Sequence, residues 1–145
     1  MSIIRALKVI MNSEQAFEKS LLALEEKGFD GIREPERVLA TIWSVEAEVN
    51  NGGFDQLFYN SAGDVAFYAA KALQSIGAYE MAAISQRALD LFGENGPPKD
   101  RDVRVEKLEK ISEVNEEYLN QLDYDFTEYP DDIIELLSIY VQSNF

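Results

Sequence analysis

The sequence predicts an all-α fold, a single compact domain of about six to eight helices over residues 1–145, and three observations carry that prediction. Apolar residues recur at the helical 3.6-residue period along most of the chain, and no segment alternates as a strand would. Apolar residues make up 46% of the 145, so a chain of this length can bury a core without disulfides or a structural metal. Only one stretch, residues 93–102 with Gly93, Gly96, Pro97 and Pro98, reads as a long loop, and it is the one place where the domain could subdivide.

The elements follow in order. A first helix is expected from about Ser13 to Lys27, with Ser13 as cap, Glu14 and Glu18 in its first turns and Gly28 as its stop. A short separate helix could precede it. Pro35 suits the first turn of a second helix, whose stripe is Val38, Ile42, Val45 and Val49. Asn50-Asn51-Gly52-Gly53 ends that helix, and Phe54 to Asn60 makes a short one. Ser61 to Asp64 reads as a turn, with Asp64 capping a helix over Val65–Ile76. Gly77-Ala78 then joins it to a helix over Tyr79–Phe92. A long helix is expected from about Val105 to Leu122, a connector from Tyr124 to Pro130, and a last helix from Asp131-Asp132 to near Asn144.

Composition narrows the chemistry. The chain has no cysteine and no histidine. That removes thiolate nucleophiles, zinc–cysteine sites and the commonest acid–base residue near neutral pH. No apolar run is long enough for a membrane span, and the first residues, with Arg5 and Lys8 among apolar neighbours, do not read as a secretion signal. The expectation is a cytoplasmic protein that is not an enzyme, needs no cofactor and binds no metal.

Charge is distributed unevenly. The net charge is −14, from 13 basic and 27 acidic residues. Residues 1–41 carry six basic and seven acidic side chains (net −1), residues 42–93 two and six (net −4), and residues 94–145 five and fourteen (net −9). After Lys110 there are nine acids and no Lys or Arg, yet the same stretch is rich in Ile, Leu, Val, Tyr and Phe. Disordered acidic tails lack that apolar content, so these acids are expected on a folded scaffold. On the long helix, Leu108, Ile111, Val114, Tyr118, Leu119 and Leu122 should share the buried face, with Glu106, Glu109, Glu113, Glu116 and Glu117 opposite. Like charges one turn apart oppose helix formation. Such a row is either a solvated outer face or a ridge for a basic partner. A field of this sign repels nucleic acid and anionic membranes and attracts cations.

One further motif stands apart from the acids: Glu48-Val49-Asn50-Asn51-Gly52-Gly53-Phe54-Asp55-Gln56-Leu57-Phe58-Tyr59-Asn60. Its Glu48, Val49, Asn51, Gly52, Gly53, Phe54, Gln56, Phe58 and Asn60 resemble the signature of a bacterial family first catalogued as a domain of unknown function. The similarity is expected to be strong over residues 34–93, including Ile76-Gly77-Ala78 and Met81-Ala82, and weaker at both ends. That family is all-helical and includes a DNA-mimic protein, one that presents carboxylates where DNA presents phosphates. The resemblance implies the same kind of function here. The motif itself reads as structural: two glycines for a sharp reversal, Phe54 for the core, and Asn51, Gln56 and Asn60 to satisfy turn groups. Glu46 falls inside the apolar stripe of its helix, where it should accept hydrogen bonds from the Asn51–Gln56 turn. A catalytic use of Glu46 is the sharper alternative, without a His or Cys to work beside it.

Two other patterns fail. Asp123-x-Asp125 begins like a calcium loop, but Glu128 and Ile134 occupy the places of the required Gly and bidentate Glu. Gly93-x-x-Gly96 lacks the Lys-Ser/Thr of a phosphate loop. The last helix carries Ile133, Leu137, Tyr140 and Val141 on one stripe and Leu136 and Ile139 outside it, which predicts either a homodimer contact or a helix buried on most sides.

The expected function is binding of a basic DNA-binding protein, a transcription regulator or nucleoid protein, and blocking its access to DNA. The expected surface is Glu106, Glu109, Glu113, Glu116, Glu117, Asp123, Asp125, Glu128, Asp131, Asp132 and Glu135. The alternatives are an interaction or immunity-type module without mimicry and, behind it, a carboxylate- and metal-dependent enzyme.

Overall fold

A computed structural model describes the backbone of residues 3–145 and the side chains of residues 12–145; Met1 and Ser2 lie outside the described residues. Among them the fold is all-helical, with six α-helices: α1 (Ile3–Lys27), α2 (Glu34–Tyr59), α3 (Ala69–Ser75), α4 (Tyr79–Asp90), α5 (Arg101–Thr127) and α6 (Ile133–Asn144). Short 3-10 segments cover Phe29–Gly31 and Ser61–Tyr68.

α2 is the central element. Its start combines Pro35 in the first turn with Glu36, whose carboxylate accepts the Arg33 N–H at 3.0 Å. Val38, Leu39, Ile42, Val45, Val49, Leu57 and Phe58 are buried along it, against α1 on one side and α5, α3 and the Ser61–Tyr68 segment elsewhere. α4 packs on α3 and α5, and α6 packs on α1. The Asn51–Gly53 break falls where expected: Gly52 and Gly53 leave helical geometry, and the chain re-enters a helix at Phe54. Gly53 has φ +77 and ψ −177, a region that essentially only glycine occupies. The new axis drives Phe54 into the core, where its ring meets Phe126 edge-on at 5.6 Å and Phe58 at 6.2 Å.

Several local expectations are corrected. α1 runs unbroken through Ser13, which therefore caps nothing. Residues 61–68 are 3-10 rather than a turn and a helix start, and the Asp64 carboxylate pairs with Arg104 Nη2 at 3.0 Å instead of capping. α5 extends both ways, to Arg101 and Thr127, absorbing most of the expected connector. It also bends at Asn115 (φ −118, ψ 24), where the side-chain amide donates to Ile111 O at 2.9 Å. An Asn amide that bonds back to the preceding turn offers the backbone an alternative to the helical ladder. Leu108, Leu119, Leu122 and Phe126 are buried and lie within about 60° of one another at 100° per residue, whereas Val114 (82% exposed) and Tyr118 (44%) fall about 120° and 80° from Leu108 and face outward, so the expected stripe is corrected as too wide. On α6, Leu136 packs against the core and Ile139 is exposed.

Candidate functional site

The acids sort into two groups once their partners are known. Glu106, Glu109, Glu113, Glu116 and Glu117 are all exposed on α5. A helix rises about 5.4 Å per turn, so they form a row with that spacing, bent at Asn115. Glu128, Asp132 and Glu135 continue the exposed acids beyond the helix end. Among the described residues, no Lys or Arg comes within 4.0 Å of any carboxylate after Lys110; the two ion pairs there are Arg33–Glu36 and Arg104–Asp64. The last turn of α5 holds no basic residue either. Acids near a helix C-terminus oppose the helix dipole, so this placement works against the stability of α5.

The second group is tied into the fold. Asp123 Oδ1 accepts the Phe54 N–H at 2.8 Å, and Asp131 Oδ2 accepts the Met81 N–H at 2.8 Å. Each carboxylate serves as a cap for a helix start far away in sequence, the second segment of α2 and the first turn of α4. Asp132 caps its own helix, accepting from Glu135 N at 3.3 Å. Asp125 is half-buried and takes a hydrogen bond from Gln121 Nε2 at 2.8 Å. Asp123 is half-buried, and its carboxyl is raised above the ordinary 3.8 chiefly by loss of solvent, against the lowering effect of the Phe54 N–H. Tyr124 lies exposed beside them, and the neighbouring Glu128 carboxylate raises its phenol.

The signature residues form a neighbouring cluster. Glu48 Oε2 accepts from Gln56 Nε2 at 2.7 Å and Asn60 Nδ2 at 2.9 Å. Two of the signature amides, Gln56 and Asn60, therefore bind a carboxylate across the break and not the turn backbone. Glu46 is also corrected: it is half-exposed at the edge of the stripe, and its partner is the Tyr129 hydroxyl at 3.0 Å. That hydroxyl in turn accepts from Asn50 Nδ2 at 2.6 Å. Tyr129 stands at φ 51, a left-handed position rare for a tyrosine, so the clasp holds the α5–α6 connector over α2 in a strained turn.

Arg104 is the largest residue that sequence reading passed over. It is fully buried. Its guanidinium donates to Phe58 O (2.6 Å), Asn60 O (2.9 Å), Pro98 O (3.0 Å) and Lys99 O (3.0 Å), besides pairing with Asp64. It thus satisfies carbonyls at the end of α2 and in the loop before α5. Its position was readable: residue 104 lies one turn before Leu108 on the buried face.

No group of three or more acidic side chains converges on a metal-ligating position among the described residues. No helix there is long and apolar enough to cross a membrane. Residues 30–144 match the family described as DMP19-like protein. The chain belongs to the DMP19-like family. No curated protein and no solved structure matches it. The DMP19-like match includes residues 34–93, where the similarity is expected to be strong, and also takes in all of α5 and α6 with the acidic stretch.

Proposed function

We propose that this DMP19-like protein acts in the cytoplasm as a DNA mimic: it binds a basic DNA-binding protein, a transcription regulator or nucleoid protein, and blocks its access to DNA. The observation that carries this reading is the row of exposed glutamates on α5 without a basic partner among the described residues, continued by Glu128, Asp132 and Glu135. Carboxylates held on a helix at turn spacing can meet the Lys and Arg side chains that otherwise contact phosphates, and they do so without the entropy loss of ordering a tail. The reading gives the chain no catalytic role, and assigns Asp123 and Asp131 to holding the surface in shape.

A pull-down from native lysate at graded salt tests it. The expected catch is a nucleic-acid-binding protein that elutes as salt rises, and whose DNA complex the purified chain dissolves. Charge reversal at Glu113, Glu116 and Glu117 abolishes both effects. Recovery of no nucleic-acid-binding protein at low salt overturns the reading.

A second reading, an interaction module without mimicry, draws on the apolar groups among the acids: Val114, Tyr118, Tyr124 and Ile134 are 82, 44, 60 and 72% exposed. A partner held by these would stay bound at high salt and ignore the charge reversal.

A further inference from the structure

The end of α2 and the first half of α5 leave a slot between them whose chemistry differs from the open acidic row. Its floor is apolar, made by buried Leu108 and half-buried Val105, and Tyr59 forms a wall. Asp55 and Glu109 stand exposed at the rim. Asp55 Oδ1 takes the Ser112 hydroxyl, which leaves Oδ2 open. Asn60 also lines the slot; its Nδ2 is turned to Glu48, so its amide oxygen is left to accept from elsewhere.

No basic side chain among the described residues comes within 4.0 Å of either rim carboxylate. Lys107 and Lys110 project roughly 150° around α5 from the slot, by the 100° step of a helix. Arg101 reaches the slot's end, where its guanidinium lies 4.9 Å from the Tyr59 ring centroid and its Nε donates to Tyr59 O at 2.8 Å. The ring therefore already carries one cation, and two carboxylates outweigh that charge.

An apolar floor below two carboxylates, beside an aromatic ring, is complementary to one kind of group: a long aliphatic stem that ends in a cation. We propose that the slot receives a single lysine or arginine side chain of the basic partner, with its methylenes on Val105 and Leu108 and its charge between Asp55 and Glu109. The proposal rests on the reading of the acidic surface as a docking face for a basic protein. It adds a shape-selective anchor to a face that otherwise attracts cations by field alone.

Octalysine is the probe, titrated into the whole chain at low salt with the methyl signals of Val105 and Leu108 followed by NMR. Those methyl signals are expected to move on binding. Val105→Trp, which fills the slot and keeps every carboxylate, should weaken octalysine about tenfold. The pair Glu113→Gln and Glu117→Gln should weaken it while the methyl shifts persist. If Val105→Trp loses its fold by circular dichroism, the isosteric pair Asp55→Asn and Glu109→Gln decides, with the same tenfold loss expected. Binding that moves only signals from residues 113–128, and is indifferent to the slot variants, overturns the slot and leaves the acidic docking face standing. Absence of binding in every form overturns both.

Discussion

The Phe54 N–H donates to Asp123 Oδ1 at 2.8 Å, joining the break in α2 to the far end of α5. Gly53 makes this contact possible. A Cβ there would run into the Asp123 carboxylate, and φ +77 with ψ −177 disfavours any side chain in the first place. Gly53→Ala is therefore expected to destabilise by about 3 kcal/mol, and Asp123→Ala by about 1–2 kcal/mol, the loss of a helix-start hydrogen bond. Urea unfolding of each variant measures both.

Asp123 also sets a pH dependence. Loss of solvent raises its carboxyl above the ordinary 3.8. The folded chain then takes up this proton before the unfolded chain does, so the contribution of this group becomes more favourable as pH falls through the folded value and less so as pH rises. The stability difference between wild type and Asp123→Asn should shift toward wild type on acidification. A difference that moves the other way contradicts the desolvation assignment.

Arg104 holds five groups with one guanidinium inside the core. Arg104→Ala leaves those carbonyls without donors and is expected to destabilise by about 3–5 kcal/mol. Arg104→Lys should recover little of it, because one ammonium cannot reproduce the planar fork. Gly63 presses on the same site, a Cβ there lying 3.1 Å from Arg104 Nε and meeting Leu57 O, so Gly63→Ala should share the phenotype. Thermal melts of the three variants provide the check.

The glutamate row should weaken the fold that carries it. Adding salt is expected to raise the melting temperature as repulsion is screened. Glu117→Lys should stabilise the chain by about 0.3 kcal/mol while lowering its affinity for a basic partner. Opposite signs in the two measurements are the mark of acids placed for binding; a variant that loses both stability and affinity argues against it.

At the alkaline end, burial is the main cause that pushes the Tyr140 phenol up to about 12, with the Glu34 charge next. A phenol raised in the folded state contributes stability that is intact below about 10 and is lost as pH climbs toward 12. Tyr140→Phe should flatten that part of the stability curve. Ultraviolet titration of the phenolates, compared between the two proteins, reports whether the last one to ionise disappears.

Much of the fold was legible because it depends on local rules. The stripe Val38, Ile42, Val45 and Val49 and the break at Gly52-Gly53 follow from period and from glycine's conformational range, and both stand in the structure. What sequence could not show were contacts that span many residues. Nothing near Asp123 or Asp131 marks them as caps for Phe54 and Met81, and nothing near Glu46 names Tyr129. The outward turn of Val114 and Tyr118 was legible too: at 100° per residue they fall about 120° and 80° from Leu108, outside the arc that Leu108, Leu119, Leu122 and Phe126 share, so the expected stripe was drawn too wide. The exposed glutamates lay where a simple wheel puts them, since exposure needs only the absence of a partner.

The bonds from Asp123 to Phe54, Asp131 to Met81 and Tyr129 to Glu46 all run from late in the chain to its middle. Phe126, Ile133, Leu137 and Val141 fill the core from the same region. A nascent chain that has left the ribosome only as far as Asn120 thus has helices with open ends and an incomplete interior. The glutamate row of α5 is thus made before the scaffold beneath it is complete, so a product stalled there would display those carboxylates on an open fold.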